Sequence, residues 1–238
     1  MKERAKIIES LRGGLIVSCQ LHKTDPEYVD GIIPGLAKAA VWGGACAVRI
    51  DDPENIVAVR KAVDVPIIGL WKKMSRETEV FMTPDLPSVA AVLQAGADIV
   101  AVDGTDRPIG GRRGCDLIPE IRRDFPQAII FADCRDEKDA ALALSLGADF
   151  VAPTFYRFGK NAVSTDLPDW KMFARMCRIA GDKAVMEGKI WTPDDAVKAF
   201  HYGAYAVVVG TAITRPHLVA QRFYDVIHGY PEERSLFY

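Results

Sequence analysis

Residues 184–216 read AVMEGKIWTPDDAVKAFHYGAYAVVVGTAITRP, and this stretch holds one full unit of the fold. Ala184, Val185 and Met186 begin an apolar run that ends abruptly at Glu187-Gly188-Lys189. Thr192-Pro193 then opens a helical pattern, with a capping hydroxyl followed by proline in the first turn, where its missing N–H costs nothing. Gly203 stops that helix, and Ala206–Val209 form a second apolar run that ends at Gly210. Strand, helix and strand in this order imply parallel pairing through a right-handed crossover.

Working outward, the same kind of run recurs at 14–20, 46–50, 66–72, 98–103, 128–133, 149–155, 184–189 and 206–211. Each is short, rich in β-branched residues and without alternation, as expected of parallel strands covered on both faces. Helical segments lie between them: TPDLPSVAAVLQAG (83–96), read as capped by Thr83, and CRDEKDAALALSLG (134–147). AGADIV, LGADFV and YGAYAV repeat a Gly-Ala turn into the next strand. Repetition of one unit argues for one architecture used throughout. Eight units close most simply into an α/β fold of the (β/α)8 type, a TIM barrel forming a single domain over residues 1–238. A doubly wound open sheet is the alternative, but no GxGxxG follows the first strand, and Gly110, Gly111 and Gly114 have the wrong spacing for one.

Composition narrows the function classes. The 238 residues are 49% hydrophobic and 26% charged, with a net charge of −2 and a pI near 6.1. Such a balance offers no electrostatic footprint for nucleic acid or an anionic membrane. The N-terminal residues lack a signal-peptide core and no run approaches a membrane span, so a cytoplasmic protein is expected. Cys19, Cys46, Cys115, Cys134 and Cys177 form no CxxC pair, and His22, His201, His217 and His228 lack metal-ligand spacing. Neither a disulfide framework nor a metal or other cofactor is expected.

In a barrel of this type the reactive groups sit where strands end. Reading those ends gives Gln20, Arg49, Lys72, Asp103, Asp133, Thr154 and Glu187. One polar residue leaving a strand means only that the chain reaches water; a whole set around one mouth implies a binding pocket. After the eighth run, backbone amides of Gly210, Thr211, Ala212 and Ile213, with Gly188 nearby and Arg215 beyond, suit a phosphate group. Lys72 and Glu187 stand on strands three and seven, nearly opposite in an eight-membered ring. An amine serves as a proton carrier once burial or a neighbouring cation such as Arg49 lowers its pKa. Bringing Lys72 from about 10.4 to near 7 needs roughly 4–5 kcal/mol of differential interaction. Strand pattern alone leaves open which of Lys72 and Lys73 points inward.

GGACAVRIDDPENI (43–56), PIIGLWK (66–72), TPDLPSVAAVLQAGADIVAVDGTDRP (83–108) and the 184–216 stretch together resemble the N-acetylmannosamine-6-phosphate 2-epimerase family, over about Gly13 to Phe223. The resemblance implies a metal-free barrel that interconverts N-acetylmannosamine 6-phosphate and N-acetylglucosamine 6-phosphate in sialic acid catabolism, and a homodimer. It implies catalytic roles for Lys72 and Glu187 and sugar or phosphate contacts for Gln20, Arg49, Asp133 and Arg215. Two loops depart from the family pattern: KMSRETEVFM after the lysine, and TFYRFGKNAVSTDLPDW after strand six. Loops beyond strand ends carry specificity, so the proton chemistry is more firmly indicated than the exact sugar. Inversion at C2 requires C1 as a carbonyl, hence an opened ring, with one base or two acting on C2. The alternatives are a Schiff-base lyase or aldolase using Lys72 as nucleophile, and a sugar-phosphate sensor without turnover.

Overall fold

The computed structural model describes residues 2–21, 23–74, 80–109, 111–156 and 167–229. His22, Gly110 and parts of both divergent loops, residues 75–79 and 157–166, lie outside the described residues. Eight parallel strands form one sheet: β1 Leu15–Ser18, β2 Ala47–Asp51, β3 Ile67–Leu70, β4 Ile99–Asp103, β5 Ile129–Asp133, β6 Phe150–Ala152, β7 Val185–Glu187 and β8 Ala206–Val209. They neighbour one another in the order β6-β5-β4-β3-β2-β1-β8-β7. A single parallel bridge from Val151 to Ala184 brings the two ends together, so the sheet is a nearly closed (β/α)8 barrel.

Side chains alternate along each strand, and that alternation sorts the molecule into two cores. Ile16, Ala47, Ile68, Leu70, Ala101, Phe131, Ala152, Val185 and Val208 point inward and fill the barrel. Val17, Val48, Ile50, Ile67, Val102, Ile130, Met186 and Val207 point outward and pack beneath the helices. Burial on both faces is why the strands read as continuous apolar runs. The N-terminal helix Lys2–Ser10 closes the bottom, where Ile7, Ile8 and buried Leu11 pack on Tyr205, whose hydroxyl donates to the Ile8 carbonyl at 2.9 Å. The opposite end, where the strands finish, is left for chemistry.

Local signals explain the connections. Thr192 caps the helix Pro193–His201 in a reciprocal box with Asp195, leaving Glu187 only a short loop away. Gly96, Gly147 and Gly203, at φ of 103°, 109° and 100°, make the Gly-Ala turns, and Gly44 at 99° makes a fourth that the repeat reading missed. Such angles are nearly free for glycine alone.

Two expectations need correction. Thr83 does not cap its helix. Its hydroxyl donates to the Ala101 carbonyl at 2.7 Å and accepts from the Trp71 amide at 3.1 Å, tying β3 to β4, while Asp85 caps Leu86–Gln94 through the Ser88 amide. Nor does the third strand run through Lys72. β3 stops at Leu70, and Lys72–Met74 pairs antiparallel with Val80–Met82 in a hairpin above the barrel.

Candidate active site

Arg49 lies one inward step above Ala47 on β2, and being inside a barrel it must find anions or unfold it. It does so through a bidentate pair with Asp133 at the end of β5, at 3.0 and 2.7 Å, and a further hydrogen bond to Glu187 Oε2 at the end of β7. Side-chain exposure is 1% for Arg49, 0% for Asp133 and 11% for Glu187. Thr154, just past β6, donates to Asp133, and the Phe131 ring lies 5.2 Å from the guanidinium. Burial opposes the Arg49 charge, but Asp133 and Glu187 outweigh it and raise its pKa. For Glu187 burial dominates and raises the carboxyl to about 7, with Arg49 pulling down and Asp133 pushing up. A carboxyl group near neutrality is suited to take or give a proton.

Across the mouth, the same inward parity runs Ile68, Leu70, Lys72. Lys72 therefore turns into the barrel, although it begins the hairpin rather than ending β3. Its Nζ donates to Gln20 Oε1 at 2.6 Å and lies 3.7 Å from Asp51 Oδ2. Burial is the largest influence on this amine and lowers its pKa; Asp51 raises it, while Arg49 and Arg215 lower it. Lys72 and Glu187 are near enough that each acts on the other's titration. Lys73 points the other way, 3.6 Å from Asp85 with its Nζ 4.5 Å from the centre of the Trp71 ring.

After β8 the chain turns at Gly210 into the single helical turn Thr211–Thr214. A cavity of about 340 Å³ opens here, lined by Ser18, Thr154, Glu187, Gly188, Gly210 and Thr211, with Trp191 and Leu218 as an apolar wall. That volume lies within the range of small-molecule sites, ~300–1,000 Å³. Two of the expected phosphate contacts fare differently. Ala212 and Ile213 do not line the cavity, and the Ile213 amide donates to the Gly210 carbonyl at 2.8 Å, because a tight helical turn uses its own third amide. Arg215 is held at 3.2 Å by the Gln20 carbonyl and at 3.3 Å by Asp25.

Of the strand-end residues, Thr154 and Glu187 border this cavity and Gln20 borders a second one of about 160 Å³ with Asp51, whereas Asp103 lines neither. Its carboxylate receives the Thr105 amide and hydroxyl at 2.9 and 2.7 Å and Arg107 at 2.8 and 2.6 Å, an arrangement that shapes the loop after β4. Sequence reading passed over Asp51, although Arg49 plus two residues on an inward strand was the available signal. It also passed over Lys189, which borders the cavity with φ of 61°, and nothing in the sequence pattern marks it. Among the described residues no group of three or more His, Cys, Asp or Glu could hold a metal ion, and no helix is long and apolar enough to cross a membrane.

Known proteins with the same pattern were found at three levels. Residues 33–229 match the family described as "Putative N-acetylmannosamine-6-phosphate epimerase". Proteins carrying the corresponding 2-epimerase description include one from Caldanaerobacter subterraneus subsp. tengcongensis, 40% identical over 93% of this chain and 94% of its own length. Another, from Thermosynechococcus vestitus, is 41% identical over 90% of this chain and 92% of its own. Among solved structures, the N-acetylmannosamine-6-phosphate 2-epimerase from Clostridium perfringens superposes with a TM-score of 0.84 at 29% identity, over 92% of this chain and 96% of that one. A thiamine phosphate pyrophosphorylase from Pyrococcus furiosus, at 18% identity and a TM-score of 0.59, shares the fold alone. With a family match across most of the chain and relatives above 30% identity along nearly its full length, this chain belongs to the N-acetylmannosamine-6-phosphate epimerase family, a family of isomerases.

Proposed function

We propose that this protein inverts C2 of N-acetylmannosamine 6-phosphate to give N-acetylglucosamine 6-phosphate, using Lys72 and Glu187. The observation that carries the reading is a buried carboxyl raised to about 7 at the edge of a cavity that continues into a glycine-rich loop, with an amine lowered by burial near enough to act on its titration. Glu187 moves the anomeric hydroxyl proton so that the ring opens and C1 becomes an aldehyde. Lys72, unprotonated, takes the proton from C2, and the C2–H electrons move into a C1–C2 double bond as O1 gains charge. Return of a proton to the other face of C2 completes the inversion. Arg49, gripped by Asp133, holds Glu187 in register for the sugar, and Gln20 steadies the Lys72 ammonium. The Gly188, Gly210 and Thr211 amides, which border the cavity, take the phosphate together with Arg215. Remote phosphate binding supplies energy that is realised at the reacting carbon.

Incubation with N-acetylmannosamine 6-phosphate in deuterium oxide, followed by proton NMR, tests this directly. Deuterium at C2 of the product is expected; epimerisation without exchange, or no turnover, would sink it. Borohydride trapping of a substrate adduct on Lys72 would favour imine chemistry instead. The same reading places the protein in sialic acid breakdown in the cytoplasm and makes it a homodimer. The last helix, Pro216–Gly229, supports the dimer: it buries no residue and leaves Phe223, Tyr224, Val226 and Ile227 more than half exposed. Sedimentation of the purified protein at twice the chain mass is the expected result, and a monomer at micromolar concentration removes the inference.

A further inference from the structure

We propose that Asp51 is a positioning residue for Lys72: one carboxylate oxygen holds the lysine's main-chain amide while the other stands beside its ammonium, so that β2 fixes the start of the hairpin and the charge beside the amine together. The role builds on the reading of Lys72 as proton carrier given above. Asp51 Oδ1 receives the Lys72 amide at 2.9 Å, and Oδ2 is 3.7 Å from Nζ. The second distance is too long for a good hydrogen bond, so Asp51 acts on the ammonium as a charge, and Gln20 supplies the direct acceptor at 2.6 Å. Both grips are on the same residue, which fixes the hairpin's first position as well as its side chain.

The rest of β2 is arranged around that carboxylate. Arg49 and Asp51 share the inward face, so one strand delivers a cation to Glu187 and Asp133 and an anion to Lys72. The Asp51 carbonyl accepts from Asn55 Nδ2 at 3.0 Å, and the Asp52 amide donates to the Leu70 carbonyl at 3.0 Å. Asp52 then turns at φ of 79°, rare for a residue with a side chain, and directs the chain away from the site. Lys73, whose main chain lacks such a grip from β2, is drawn to Asp85 and Trp71 on the outside.

The charged groups that act most on Lys72 among the described residues are Asp51 and Arg49 from β2, Glu187 from β7 and Arg215 beyond β8. Replacing Asp51 by asparagine keeps an oxygen for the Lys72 amide but removes the carboxylate that most favours the ammonium, while Arg49 and Arg215 still oppose it. The Lys72 ammonium should then lose its proton about one pH unit lower. The measurement is an NMR titration of the full-length protein with 13C-labelled lysines, the Lys72 resonance being the one missing in Lys72→Met. A midpoint about one unit lower in Asp51→Asn, and near the wild-type value in Asp51→Glu, is the expected result. An unmoved midpoint in folded Asp51→Asn overturns the proposal. If asparagine impairs folding, Asp51→Ser answers the same question.

Turnover of N-acetylmannosamine 6-phosphate, measured on the same samples, separates this proposal from the proposed function. Active wild type with an unmoved midpoint removes the role of Asp51 and leaves the epimerase reading. A shifted midpoint without turnover in any sample keeps Asp51 as the residue that sets Lys72 and removes the sugar assignment.

Discussion

The two walls of the barrel mouth are built on opposite terms. On one, Arg49, Asp133 and Glu187 are almost wholly buried and joined by charge-assisted hydrogen bonds. On the other, Lys72 and Asp51 are each 25% exposed and Arg215 20%; the ion pairs are longer, 3.3 to 3.7 Å, and the short bond from Lys72, 2.6 Å, goes to neutral Gln20. A buried ion cluster is rigid because each charge has nowhere else to go, and losing one member strands the others. A wall left about a quarter exposed keeps water as an alternative partner, so its groups can titrate without unfolding the chain. One wall therefore couples activity to stability, and the other carries activity alone.

The strongest way to test that contrast is Lys72→Met. Removing the proton carrier should lower kcat by about 10⁴-fold, equivalent to about 5.5 kcal/mol of barrier. Unfolding by urea should change little, by less than about 1 kcal/mol, because a partly exposed ammonium contributes little to stability. Arg49→Met should do the reverse in emphasis. Leaving Asp133 and Glu187 buried without their cation should cost about 3–5 kcal/mol in urea denaturation, besides abolishing turnover. A variant as stable as the wild type would show that the buried wall is not a structural unit.

Glu187→Gln probes the same wall through pH. The folded carboxyl titrates at about 7, above its ordinary 4.5, so the native state binds this proton more tightly than the unfolded chain. Stability from that proton is complete below pH 4.5 and is lost as pH rises through 7, roughly 3 kcal/mol in all. The variant should lack this decline, and kcat/KM should lose its limb near neutral pH. Parallel stability profiles for the two proteins would mean that Glu187 is solvated rather than buried. The smallest effect is expected for Gln20→Ala on the exposed wall. kcat/KM should fall about tenfold as the ammonium loses its acceptor, with unfolding unchanged within about 0.5 kcal/mol. Destabilisation comparable to Arg49→Met would erase the distinction between the walls.

Much of this is legible in the amino-acid sequence. Continuous apolar runs betrayed strands covered on both faces, and the Gly-Ala turns at Gly96, Gly147 and Gly203 marked where each helix gave way to a strand, because only glycine adopts φ near 100° cheaply. Reading strand ends also pointed to Gln20, Lys72, Asp133 and Glu187. The misread features share one cause. Thr83 has the composition of a cap but spends its hydroxyl between strands distant in sequence, and Asp103 resembles a site residue but serves its own loop.

Local chemistry, then, was written in the chain itself: which segments are strands, where they turn, and which ionisable groups leave them. Pairing was not. That Lys72 rather than Lys73 enters the barrel, that Arg49 meets Asp133 across 84 residues and Glu187 across 138, and that Asp51 grips the hairpin all depend on register between strands. Register is set when the barrel closes and every inward side chain must find room or a partner, a condition on the whole ring that no single segment contains.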